Sequence, residues 1–273
     1  MKKIKFLFWT VILTIFIASC QKNEVETTTN DDVIDQEIII ENLLADLDAL
    51  SEEVIDNQLR LLKSAILSGS DEEDSCPVIT YYRNSEPRKM IIDFGAVCEG
   101  RDGKIRSGKI IVTSTSFENY MATRTKTFEN FSVNGWSIDG VITKTVTLNR
   151  EDRTRVSAVS EELALANEEK TAFRTGTMSR THNVGEIPDR TDDEISSWGE
   201  VVTEWQEGIT VTKTINEENP LVFMNACRQI VSGILFVTAG KNSWSIDYGQ
   251  GDCDNKATVT RNGVEREIKI GRK

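Results

Sequence analysis

The sequence predicts a mainly β protein, an antiparallel sheet or meander with hairpin disulfides, preceded by an N-terminal helical stalk. Three observations predict it. The texture of the chain changes after Cys76 from helical periodicity to short β-branched runs. Asn134-Gly135 and Asn262-Gly263 sit between such runs, which marks two-residue hairpin turns. No strand–helix–strand spacing occurs, which favours antiparallel pairing.

The helical segment is read over roughly residues 33–67, as one or two helices. Ile40, Leu43, Leu47, Leu50, Val54 and Leu61 recur at spacings of three, four and seven. Asp31 and Asp32 offer caps, and Gly69–Ser75 ends the segment. Asn57 interrupts a coiled-coil seam, so the apolar stripe is expected to pack on the body or on itself. In the body, Lys109–Ser114, Trp136–Leu148, Ile209–Ile215, Ile230–Val237 and Val264–Ile270 read as strands, and Asp102-Gly103 and Asp139-Gly140 as further turns. Ser160–Glu169 is locally helix-prone. Thr123, Thr125 and Thr127, with Thr143, Thr145 and Thr147, alternate as a solvent-facing strand surface should.

Charge is unevenly distributed. Residues 20–75 carry 16 acids against Lys22, Arg60 and Lys63, whereas residues 76–273 hold 28 acids and 26 bases. The acidity belongs to the stalk, and Asp71-Glu72-Glu73-Asp74 reads as a solvated linker. A chain without a basic stripe argues against nucleic acid as a partner.

Within the body, Ile92-Asp93-Phe94-Gly95 precedes Cys98, and Ile246-Asp247-Tyr248-Gly249 precedes Cys253. With Cys76 and Cys227 a hairpin's length upstream, the pattern suggests a partly duplicated unit, 76–98 and 227–253. Apart from Cys20, four cysteines allow three connectivities. The midpoints of the two local pairs fall at Pro87 and Gly240, both in turn-rich stretches. Cys76–Cys98 and Cys227–Cys253 are therefore the expected disulfides, each closing a hairpin and contributing about 3 kcal/mol.

Searching for chemistry returns little. His182 is the one histidine, reads as an exposed loop residue, and has no nucleophile motif beside it. Phosphate-binding glycine loops are absent, and no catalytic residue, cofactor site or metal site is assigned. Asp247–Asn255 carries the oxygen-rich side chains that calcium uses, but its spacing fails the EF-hand pattern, so a tight turn is the simpler reading. Trp136, Trp198, Trp205 and Trp244 could stack on sugar rings if they lined one face, although strand aromatics more often pack in the core.

The N-terminus gives an address. Lys2, Lys3 and Lys5, an apolar run from Phe6 to Ala18, and Ser19 form a secretory signal too short to span a bilayer. Ile17-Ala18-Ser19-Cys20 resembles the lipobox of bacterial lipoproteins, which implies lipidation at Cys20. Gln21–Glu26 resembles the surface-export signal of Bacteroidetes lipoproteins. The stretches Ile92–Cys98, Phe128–Gly135 and Ile246–Asn255 resemble a group of Bacteroidetes lipoproteins of unassigned activity, which implies an all-β body and no particular chemistry. The expected organisation is thus a signal peptide (1–19), a lipidated cysteine and tether (20–32), an acidic helical stalk (33–75) and a β body (76–273). The expected protein is a non-enzymatic binding or structural module, held to the outer membrane by lipid and facing the cell exterior, with a glycan or protein ligand. A carrier of apolar ligands and a surface glycan hydrolase are the alternatives.

Overall fold

The computed structural model describes residues 24–64, 76–100, 102–149, 151, 154–186 and 191–270, with helix side chains from 32 to 56. A single helix, α1 (Glu24–Ser64), fills the segment expected to be helical. Fifteen strands follow. They are β1 (Val78–Tyr82), β2 (Arg88–Asp93), β3 (Cys98–Glu99), β4 (Ile105–Ser114), β5 (Met121–Val133), β6 (Trp136–Leu148), β7 (Thr154–Ala166) and β8 (Thr171–Asn183). The rest are β9 (Glu194–Trp205), β10 (Thr210–Ile215), β11 (Leu221–Met224), β12 (Gln229–Ala239), β13 (Asn242–Gln250), β14 (Lys256–Arg261) and β15 (Val264–Lys269).

All belong to one antiparallel sheet in the order β1-β2-β4-β5-β6-β7-β8-β9-β10-β12-β13-β14-β15. Two positions in that order are split. β10 and β11 together fill the space between β9 and β12, and β3 extends β2 alongside β4. The edge strands β1 and β15 do not pair with each other, so the sheet is open.

The sheet curls around α1. Val33, Ile34, Ile38, Ile40, Leu43, Leu44 and Leu47 of the helix are buried among Ile92, Phe131, Trp136, Leu163, Leu235 and Ile246 of the strands. The helix therefore lies in the trough of the sheet. It is not a stalk outside the body, because an apolar stripe of this length is stabilised by burial against a curved partner. Asp35, Ile39, Leu50 and Glu53 of the helix keep some exposure.

Curvature comes from glycines at which a neighbouring carbonyl takes the place of a side chain. Gly108 and Gly233 occupy matching bulges, each after a serine and each at positive φ (71° and 101°). A Cβ there would stand 2.1 Å from Asn130 O or Pro220 O. Gly140 plays the same part inside β6, so Asp139-Gly140 bends a strand and does not turn it. Asn134-Gly135 and Asn262-Gly263 are the two-residue turns expected, with both residues at positive φ.

Both disulfides form as expected, Cys76–Cys98 and Cys227–Cys253. The first clips the open end of the β1–β2 hairpin. The second clips β12–β13, whose two-residue loop is Gly240-Lys241. The duplicated motif also repeats its local geometry. Asp93 Oδ1 accepts from Gly95 N at 2.9 Å and Asp247 Oδ1 from Gly249 N at 2.8 Å, with Phe94 and Tyr248 each 2% exposed.

Ser160–Glu169 is not helical. It completes β7 and the turn to β8, because Val159, Glu161, Leu163 and Leu165 alternate inward and pairing on both sides outweighs local propensity. The acidic run Asp71–Asp74 lies outside the described residues.

The bulges set an expectation. Gly108→Ala and Gly233→Ala should each cost roughly 2–4 kcal/mol in urea unfolding. Gly263→Ala has the same sign of φ but open space around it, and should cost about 1 kcal/mol. Equal costs at all three would show that the bulged strands yield.

Candidate functional site

Between residues 32 and 56 the helix carries nine carboxylates, and each faces a base on the sheet. From the N-terminal end, Asp32 meets Lys170, Asp35 meets Arg266, and Glu37 meets Lys213. Glu41 meets Arg174 and Lys213, and Asp46 meets Arg106, Lys104 and Arg228. Asp48 then meets Lys126, Lys144 and Arg180. Glu52 meets Arg124, Lys144 and Arg155, Glu53 meets Arg228, and Asp56 meets Arg155. Six of these acids (Glu37, Glu41, Asp46, Asp48, Glu52 and Asp56) are buried.

The strands place the bases by parity. In β5 the threonines Thr123, Thr125 and Thr127 face outward, as expected, so Arg124 and Lys126 between them face the trough. The same alternation in β6 turns Thr143 and Thr145 outward and Lys144 inward.

Toward the helix N-terminus, Lys213 Nζ lies 2.7 Å from Glu37 and 3.0 Å from Glu41, and Arg174 joins Glu41 to Glu161. Trp205 Nε1 and Thr203 Oγ1 also donate to Glu37. Tyr248 Oη is buried nearby without a hydrogen-bond partner. Burial raises its pKa, and the Glu41 and Glu37 charges add to the rise.

Burial by itself would raise the carboxyl pKa of Asp48, Glu41 and Glu52. Their cationic neighbours outweigh it and hold all three below the usual carboxylate range: Lys144 and Arg180 at Asp48, Arg174 and Lys213 at Glu41, Arg124 and Lys144 at Glu52. Lys126 shifts down, chiefly through burial and with Lys144 and Arg180 adding to it, although Asp48 opposes the shift.

The remaining sequence candidates separate. His182 is a buried residue of β8 and not an exposed loop histidine. Its Nε2 lies 2.8 Å from Asp193 Oδ2, because β8 runs past the expected loop and its parity at 182 points inward. Trp136 and Trp205 meet edge to face in the core at 6.2 Å, and Trp244 is buried under Arg261. The four tryptophans therefore do not line one face. Asp247 and Asp254 accept from the backbone amides of Gly249 and Lys256, the tight-turn reading of that loop. Among the described residues no group of three acids, histidines or cysteines is placed to hold a metal ion. Cys20 and the signal segment lie outside the described residues.

On the outer face an open concavity of about 570 Å³ crosses the middle strands. One register row runs Thr143–Ser160–Thr177–Glu200–Thr214, and the next runs Thr145–Ala158–Ser179–Trp198. Small side chains beside Trp198 leave the hollow, and its lining mixes threonine and serine hydroxyls and the Glu200 carboxylate with apolar surface from Trp198, Ala158, Val159, Met178 and Ile215.

No family model, curated protein or solved structure matches the chain. The fold and its ion-paired interior define it as an open antiparallel sheet curled around its own N-terminal helix.

Two expectations follow for the interior. Asp48→Asn should destabilise the fold by about 3–5 kcal/mol, since it leaves buried cations unmatched. Asp35→Asn, at the solvent-exposed pair with Arg266, should cost less than about 1 kcal/mol. Carboxylates with depressed folded pKa values stabilise fully above their unfolded pKa, begin to lose that contribution as pH falls below it, and lose the rest as pH falls through the folded pKa. Urea midpoints should therefore hold between pH 7 and 5 and fall below about pH 4. A midpoint that drops steeply above pH 5 would contradict the array as the main acid-sensitive element.

Proposed function

We propose that the protein is a non-enzymatic binding module, anchored by lipid on Cys20 to the outer membrane and displayed at the cell surface. It would use the outer face of its sheet to hold a neutral, hydroxyl-rich polymer such as a glycan. The observation that carries this reading is the filled trough. The inner face of the sheet is occupied by α1, and the helix acids are committed to sheet cations, so contact with a polymer falls to the outside. There the Trp198 hollow offers an indole beside hydroxyl groups. An indole beside threonine and serine hydroxyls is the chemistry that receives sugar rings, through apolar contact with one ring face and hydrogen bonds to the rim.

The alternatives lose support from the same observation. An apolar carrier needs a vacant greasy groove, and the groove here holds the helix. A glycan hydrolase needs two carboxylates flanking a cleft, whereas the interior acids are buried and paired.

The lipid reading also orients the molecule. Cys20 precedes the first helical residue, Glu24, by four positions. Anchoring there would set the turns near Lys170, Gln206 and Gly240 toward the bilayer, and the β4–β5 loop away from it.

Protease shaving of intact cells should remove the body while a periplasmic control survives; protection of the body would overturn surface display. With the purified protein, Trp198→Ala should weaken glycan-array binding at least about tenfold while the variant stays folded at the assay temperature, with a lowered urea midpoint because the indole packs partly on the core. Undiminished binding by the variant would move the site elsewhere.

A further inference from the structure

A cavity of about 50 Å³ lies beside the C-terminal half of the described helix, between the β1–β2 hairpin and strands β4 and β5. Met90, Val112 and Phe117 form an apolar wall, and Arg88 and Arg124 supply charge. Three observations single it out.

The first is a charge surplus. Arg124, Lys126, Lys144, Arg155 and Arg180 share only Asp48, Glu52 and Asp56 among the described residues, leaving two positive charges unmatched. The sequence brings no further acid from the helix, since the next one after Asp56 is Asp71. Unmatched charge in a buried cluster is costly, and the downward shift of Lys126 reflects that burial and crowding.

The second is an orphaned donor. Arg124 is 6% exposed and binds Glu52 through Nη1, but its Nε–H is buried with no hydrogen-bond partner. The third is Arg88, which lines the same cavity and has no carboxylate within ion-pair reach among the described residues.

We propose that this cavity binds a small carboxylate, held by the guanidinium of Arg88 and the Nε edge of Arg124, with its methyl-sized apolar part against Met90, Val112 and Phe117. A planar carboxylate matches a guanidinium edge, which a halide cannot do as a two-point acceptor. The apolar wall disfavours a phosphate dianion, and the volume restricts the ligand to a few heavy atoms. The neighbouring void beside Lys126 and Lys144, about 10 Å³, is no larger than one water requires. This site is independent of the outer-face reading.

The test replaces chloride with acetate at constant ionic strength and neutral pH, using the purified full chain, and follows thermal unfolding and the NMR linewidth of labelled acetate. The wild type should show a saturable rise in Tm on the order of a few degrees, with broadening of the acetate signal. Arg88→Gln removes no ion pair among the described residues and should bind acetate at least tenfold more weakly. Arg88→Lys, which keeps the charge and loses the fork, should fall between the two. Absence of the effect in the wild type, or an equal effect in Arg88→Gln, would overturn the proposal.

Discussion

Burying a charged helix is the constraint on which this structure depends. A helix with apolar residues on one side and carboxylates on the others can enter a protein interior only if cations meet those carboxylates where they arrive. Desolvating an unpaired carboxylate costs several kcal/mol, and pairing recovers that cost only with good geometry. The sheet therefore has to do more than close over a greasy stripe. It has to present Lys213, Arg174, Arg106, Lys144, Arg124 and their neighbours at heights matching successive turns of α1. The apolar contacts supply most of the drive for burial. The ion pairs fix which turn of the helix sits opposite which strand, since a shift of one turn would leave both sets mismatched.

That requirement explains features that look unrelated in isolation. Threonine-rich strands with interspersed bases suit a sheet whose outer face meets water and whose inner face meets an acidic helix. Glycine bulges let the strands bend enough to reach around it. One disulfide clips the edge hairpin β1–β2, and the other clips β12–β13, two strands in from the opposite edge.

Much of the fold was legible in the sequence because its signals are local. Hairpin dipeptides, the span of β6, the outward threonines and both disulfides are each written within a stretch of about 25 residues or less. The union of helix and sheet was not, since Asp48 and Lys144 lie 96 residues apart and no periodicity links them. The signal existed in another form. The helical segment carried a large excess of acid, and Thr-Arg-Thr-Lys-Thr put bases at the positions opposite in parity to the outward threonines. An inward base in a strand implies an acid to meet it, and the helix was the segment with acids to spare. His182 was misjudged for a related reason: a polar residue between polar neighbours reads as loop until the pairing of β8 with β7 and β9 sets its parity. The Trp198 hollow depends on register across five strands, which a single sequence does not display.

Chain order gives the buried helix a temporal meaning. It precedes all fifteen strands, so during synthesis the acids emerge before any base that will neutralise them. Until β12 is made, Arg228 cannot reach Asp46, and until β10 is made, Glu37 lacks Lys213. Until those strands exist, these helix acids lack sheet cations that neutralise them in the folded protein. The sheet in turn gathers around a helix that precedes it in the chain, and it stays open where the first and last strands do not pair.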